Sequence, residues 1–214
     1  MIDNWPEIVA SLREQAQQMH EAREKGLTLC RTLVQTSARS IRHVHRKQFS
    51  EAEELLREAK EIARRAREAL KDHPELMHAG YLQDAEKEMV EASAVLCIVH
   101  GRKLPTPEEL GTQVMTYLNG MGEAASEVRR YVLDQMRAGD LEGAGKILES
   151  MEGIYDELIT FDFADAMTGG LRRTCDALRA VVERTRSDLT ATASQQSLVR
   201  ELRTTREALS RKAD

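Results

Sequence analysis

Apolar residues recur along this chain every three or four positions and almost never alternate. From Ile8, the series Leu12, Met19, Leu27, Cys30, Val34, Ile41 and Val44 keeps a helical period, and no proline interrupts it. Asn4 and Trp5-Pro6 supply the start, with proline just inside the first turn. The pattern predicts a first helix from about residue 5 to about 47. At ~1.5 Å per residue this is a rod of about 60 Å, longer than the ~35–40 Å width of a domain of this size. Its apolar face must be covered by several helices or by other subunits.

Ser50, in the box Ser50-x-x-Glu53, is the expected cap of a second helix running to about residue 71, where Asp72-His73-Pro74 stops it. A third helix is expected over about 83–100, ending at Gly101. In Leu104-Pro105-Thr106-Pro107, Thr106 is placed to cap a further helix, with Pro107 first and Glu109 third. That fourth helix extends to about 138, bent near Gly111 or at Gly120 and Gly122. After the Gly139-Asp140 turn come segments at about 141–150, 153–163, 171–188 and 194–211. The fold class predicted is all-α, a single domain over 1–214 made of about seven helices, the first very long.

Composition narrows the choice further. Only 4% of the residues are aromatic, and four prolines and 12 glycines leave few turns for a β-sandwich or barrel. A net charge of −5 argues against coating nucleic acid by bulk charge, so any such contact needs a local basic face. Cys30, Cys97 and Cys175 are too far apart for a zinc site and read as reduced, buried thiols. The N-terminus carries no signal-peptide pattern, and the longest apolar stretch, 92–99, is far short of a membrane span. A cytoplasmic protein without membrane contact is the expectation.

Chemistry concentrates on the third and fourth helices. Glu88 and Glu91 stand at i and i+3, with Glu91 in line with Val95 and Ile98, so their face turns towards the interior. Glu123 and Glu127 stand at i and i+4 beside the small residues Gly120, Ala124 and Ala125. Four carboxylates on neighbouring helices suit hard divalent cations, which activate water and support in-line phosphoryl displacement. With 36 Asp and Glu in the chain, however, such pairs also arise on solvated faces. A plain hairpin at 101–107 would leave the two pairs offset by ~10 Å, whereas a separate short turn bending at Gly111 would close the gap. On the first helix, Arg39, Arg42 and Arg46 recur at i, i+3 and i+7 with Lys47 alongside. This is either a stripe for phosphate oxygens or a solvated face. His43 and His45 point to different sides of the helix and make a poor metal pair. Asp162 and Asp165 either bind a cation or flank a turn.

These residues also carry a resemblance. Ser37, Arg39, Ile41, His45 and Arg46, then Glu88-Met89-Val90-Glu91-Ala92, Arg102, Leu104, Tyr117-Leu118, Gly120, Glu127, Gly139-Asp140 and Tyr155-Asp156 follow one pattern in order and almost without gaps. The chain resembles the translin family, and within it the translin-associated factor X branch, in a single-component form of the archaeal and prokaryotic kind. The likeness covers about residues 10–190 and leaves the polar helix within 192–214 outside it. It implies a hollow homo-oligomer, usually an octamer, acting as a metal-dependent endoribonuclease on single-stranded RNA inside its chamber. Single-stranded DNA is a second candidate ligand. The implied cofactor is Mg²⁺ or Mn²⁺. Glu88, Glu91 and Glu123 would be catalytic and, with Glu127, metal-binding, while Arg39, Arg42, Arg46 and Lys47 would hold the nucleic-acid backbone. Glu123 stands where the family pattern has Asp. A non-catalytic nucleic-acid-binding oligomer and a helical adaptor are the alternatives.

Overall fold

A computed structural model describes residues 3–210 of the chain. Among them every regular element is a helix, and the all-α prediction holds. Seven helices have ten or more residues: α1 (Trp5–His45), α2 (Phe49–Leu70), α4 (Tyr81–His100), α6 (Val114–Glu127), α7 (Arg129–Ala138), α8 (Leu141–Leu158) and α10 (Leu171–Ser210). Three single turns sit between them: α3 (Pro74–Met77), α5 (Pro107–Leu110) and α9 (Asp165–Thr168). None is long and apolar enough to cross a membrane. The chain divides into two compact units, Met1–Ala124 and Ala125–Asp214, whose boundary falls inside α6 rather than in a linker.

In the first unit α1, α2 and α4 share one core. Leu33 and Val44 of α1, Ala59, Ala63 and Leu70 of α2, and Met89, Val90 and Val95 of α4 are fully buried. Gly26 lets α2 come close, since a Cβ there would lie 2.7 Å from Leu70 Cδ2. The buried Ser40 hydroxyl donates to the Ala52 carbonyl at 3.0 Å and ties α1 to α2. Burial in α1 begins only at Gly26, and none of residues 3–25 is buried. Trp5, Ile8, Leu12 and Met19 are therefore exposed along one stripe of that projecting half, which is ~30 Å long.

The turn from α1 to α2 differs from expectation. Ser50 caps nothing, because the helix begins earlier, with Gln48 as N-cap and Phe49 first. Lys47 takes a left-handed φ of 59°. The Lys47 and Gln48 amides then donate back to the carbonyls of Val44 and His43, each at 2.9 Å, closing the chain before Ser50 is reached.

In the second unit α7 meets α8 through Gly139 in the left-handed conformation, and Asp140 accepts a hydrogen bond from the Gly143 amide at 2.8 Å. Leu171, Cys175, Leu178, Val182 and Thr185 of α10 alternate at spacings of four and three on its buried stripe. Arg129 of α7 donates to the Thr185 hydroxyl at 2.9 Å and pairs with Asp188 at 2.8 Å.

Two expected breaks are absent. α8 runs unbroken through Gly153, where a side chain would meet nothing, so the glycine costs only its ~1 kcal/mol of helix propensity. α10 likewise continues through 189–193, where the Thr190 and Thr192 hydroxyls donate to the carbonyls four residues back and no glycine or proline stops the helix. The expected end at Arg211 lies outside the described residues. The three cysteines are free thiols, Cys30 and Cys175 buried and Cys97 half-buried. Burial pushes Cys30 up to about 11, so it stays a neutral hydrophobe.

Candidate metal centre

The path from α4 to α6 decides where the carboxylates meet. Gly101 ends α4 in the left-handed conformation. Thr106 then caps α5 with a complete capping box: its hydroxyl accepts from the Glu109 amide, and the Glu109 carboxylate accepts from the Thr106 amide at 2.8 Å. Gly111, at φ 67°, ends α5 and turns the chain into α6. This is the separate turn that removes the offset of a plain hairpin. Of the two places where a bend is expected, Gly111 is the one used; α6 runs unbroken through Gly120 and Gly122, and the next break falls at Val128. Gly120 has a different task. A Cβ there would lie 2.7 Å from Val90 Cβ and 2.9 Å from the Lys87 carbonyl oxygen, so its absence lets α6 lie directly on α4.

That approach gathers Glu88, Glu91 and Glu123, each half-buried, with one carboxylate oxygen from each lying within 4.8 Å of the others. Lys87 joins them, its ammonium 2.6 Å from Glu123 Oε1. Burial first, then the charge of Glu123 and that of Asp84, push Glu88 above the usual carboxylate range, and Lys87 offsets part of this. Burial acts to lower Lys87, but its hydrogen bond to Glu123 and the charges of Glu123, Asp84 and Glu88 outweigh it and keep the ammonium charged. Glu127, the fourth expected ligand, follows Glu123 by one turn on α6 and belongs to the second compact unit.

Oxygen donors without Cys or His suit Mg²⁺ or Mn²⁺. Glu88, Glu91 and Glu123 would hold such an ion after drawing together, which half-exposed, flexible carboxylate side chains can do. The donor set fits such a cation.

A second polar group supports this one. Arg67 of α2 donates to Glu86 Oε1 at 2.6 Å and to the Leu110 carbonyl at 3.0 Å, clamping α4 to the end of α5 just before the Gly111 turn. Glu86 is 3% exposed, and burial raises it despite the charge and hydrogen bond of Arg67. Neither Arg67 nor Lys87 stood out in the sequence. The signal for Glu86 was its place in the buried series Leu82, Ala85, Glu86, Met89, Val90, Ser93.

Arg39, Arg42, Arg46 and Lys47 are all exposed at the C-terminal end of α1. None of the three arginines pairs with a described acidic residue, and Arg46 is the C-cap residue. His43 Nδ1 lies 3.0 Å from Gln48 Oε1 within the turn and is directed away from any metal role. Asp165 opens α9, which places it at the turn before α10.

An all-helical chain of this order, with acidic α4 and α6 in contact, has the translin-like fold. The AfC3PO chain, solved in complex with duplex RNA, aligns with a TM-score of 0.80 and 31% identity over 87% of this chain and 97% of its own. A second AfC3PO structure gives the same values. The apo-NeC3PO chain aligns at 0.78 over 86% of this chain and 96% of its own, but at 23% identity it speaks for the fold alone. An uncharacterized protein of Methanocaldococcus jannaschii is 29% identical over 170 residues, which is 78% of this chain and 74% of that protein. No family model matches the chain. On the strength of the AfC3PO match, the chain belongs to the translin-like C3PO family.

Proposed function

We propose that this chain is the subunit of a metal-dependent endoribonuclease of the translin-associated factor X branch, working as a closed homo-oligomer, most simply an octamer. The observation that carries the reading is the convergence of Glu88, Glu91 and Glu123 across the α4–α6 contact, with donor oxygens within 4.8 Å. These three residues would hold Mg²⁺ or Mn²⁺, with Glu127 as a further ligand or support. A bound divalent cation there supplies an activated water and neutralises charge developing on a phosphodiester. Around it, the chain's carboxylates orient the donor set, and the exposed Arg39, Arg42, Arg46 and Lys47 hold backbone phosphates by charge. The likeness to AfC3PO, which is seen with duplex RNA, supports RNA as the ligand.

Assembly is supported by the exposed stripe Trp5, Ile8, Leu12 and Met19 on the projecting half of α1. Apolar residues in line on a helix that the chain itself leaves exposed are what a subunit contact buries. A basic stripe facing an enclosed space would also reconcile RNA binding with a net charge of −5.

A second reading, a non-catalytic RNA-binding oligomer, is favoured by the ion pair between Lys87 and Glu123, which already supplies the cluster with a cation. Incubation with short single-stranded RNA and with duplex RNA, in Mg²⁺ and in EDTA, separates the two. Cleavage of the single strand that EDTA abolishes is expected. Tight binding without cleavage in Mg²⁺ or Mn²⁺ would overturn the nuclease reading in favour of the second.

A further inference from the structure

We propose that Lys87 is the resident counter-ion of the carboxylate cluster, an ammonium that a divalent cation must displace from Glu123, so that one of the chain's own side chains sets its affinity for metal. The inference rests on the reading of Glu88, Glu91 and Glu123 as metal ligands. On α4, Asp84, Lys87, Glu88 and Glu91 follow one another at spacings of three, one and three, and so share one side of the helix. Lys87 is the only Lys or Arg in α4, and it sits amid that acidic side. Its Nζ lies 2.6 Å from Glu123 Oε1, across the gap that the missing Gly120 side chain leaves open.

Three carboxylates within 4.8 Å crowd negative charge together, and the Lys87 ammonium 2.6 Å from Glu123 offsets part of their repulsion. It is also built to leave. Its side chain is 27% exposed and that of Glu123 is 32% exposed, so a flexible stem can swing the ammonium into water without crossing the core. A cation bound to Glu123 and an ammonium bound to the same carboxylate would stand a few ångströms apart. At that range their repulsion in a half-buried setting weakens metal binding by roughly tenfold or more. Lys87 is thus a positioning residue in the metal-free protein and a competitor during loading. It holds Glu123 in place and excludes cations that bind too weakly to displace it.

The test is calorimetric titration of Mn²⁺ into the metal-free full-length protein and its variants. Lys87→Met keeps the stem and removes the charge, and it should bind Mn²⁺ at least about tenfold more tightly than the parent. Lys87→Arg should stay close to the parent. Lys71→Met, which removes the same charge from an exposed pair with Glu68 on the second helix, should leave the affinity unchanged. Thermal unfolding gives a second readout: without metal Lys87→Met should melt below the parent, and Mn²⁺ should raise its Tm by more. Should the Met variant fail to fold, Lys87→Gln takes its place. Binding by the Met variant alone is the expected effect at its limit and supports the proposal. Equal or weaker binding by Lys87→Met, or equal tightening by Lys71→Met, overturns the inference and leaves the metal reading standing if Glu91→Gln still lowers the affinity. Absence of Mn²⁺ binding in every variant overturns both.

Discussion

Gly120→Ala adds one methyl group at the point where α6 touches α4. Its Cβ would lie 2.7 Å from Val90 Cβ and 2.9 Å from the Lys87 carbonyl oxygen, and ordinary contact begins near 3.4 Å. The carbonyl oxygen and Val90 Cβ are both fixed to the helix backbone and cannot rotate aside, so the helices must part by about 0.5–0.7 Å at this level. Overpacking of this kind costs about 1–3 kcal/mol, and replacing glycine by alanine inside a helix returns about 1 kcal/mol. The net loss of stability should therefore be about 0–2 kcal/mol, and the protein should still fold. The carboxylates respond differently. Metal–oxygen distances tolerate about 0.2 Å, so a displacement several times larger separates Glu123 from Glu88 and Glu91. Mn²⁺ affinity should drop roughly tenfold or more, with the urea midpoint only modestly lowered and the m-value unchanged. Gly145→Ala on α8 is the control: a Cβ there meets nothing, so the change should stabilise by up to about 1 kcal/mol. A Gly120→Ala protein that binds Mn²⁺ as the parent does would refute the claim that this close approach builds the site.

Three other perturbations test separate parts of the account. Replacing Arg39, Arg42 and Arg46 together by Ala should weaken RNA binding evenly across sequences. It should also lower the slope of log affinity against log salt by about 2 for single strands, which fluorescence anisotropy at several salt concentrations measures. Glu86 holds its proton to higher pH in the folded chain than its ordinary 4.5 because it is buried. The folded state therefore binds more protons just above that value, and stability relative to Glu86→Gln should fall as pH rises through that window and level off beyond it, as urea unfolding at stepped pH would show. Changing Leu12 and Met19 to Glu on the exposed stripe of α1 should lower the mass seen by light scattering while leaving helix content intact, since neither side chain is buried within the chain.

Much of this molecule could be read from the order of its residues. Helical periodicity, Pro107 after Thr106, and glycines at 101, 111 and 139 mark most helix ends, because these are local effects of backbone conformation. A local signal misleads where a neighbour overrides it. Ser50 has the look of a cap, yet the hydrogen bonds closing the Lys47 turn start the helix before it. Gly153 sits in a helix that packing of Ile147, Leu148 and Met151 carries through. The carboxylate pairs on α4 and α6 were visible as spacings, but their meeting was not, since it depends on the Gly111 turn and on the space at Gly120. Lys87 and Arg67 carry no signal in the sequence because each finds its partner on another helix, 36 and 19 residues away.

The central claim is that Glu88, Glu91 and Glu123 act on RNA through a divalent cation. Its most direct test measures cleavage and binding side by side for the parent and for Glu91→Gln, with a short end-labelled single-stranded RNA in Mg²⁺. The substitution removes one negative ligand and almost no volume, so helix content and assembly should be kept. Glu91→Gln should bind the RNA at least as tightly as the parent and no longer cut it. Cleavage at the parent's rate by Glu91→Gln would contradict the claim.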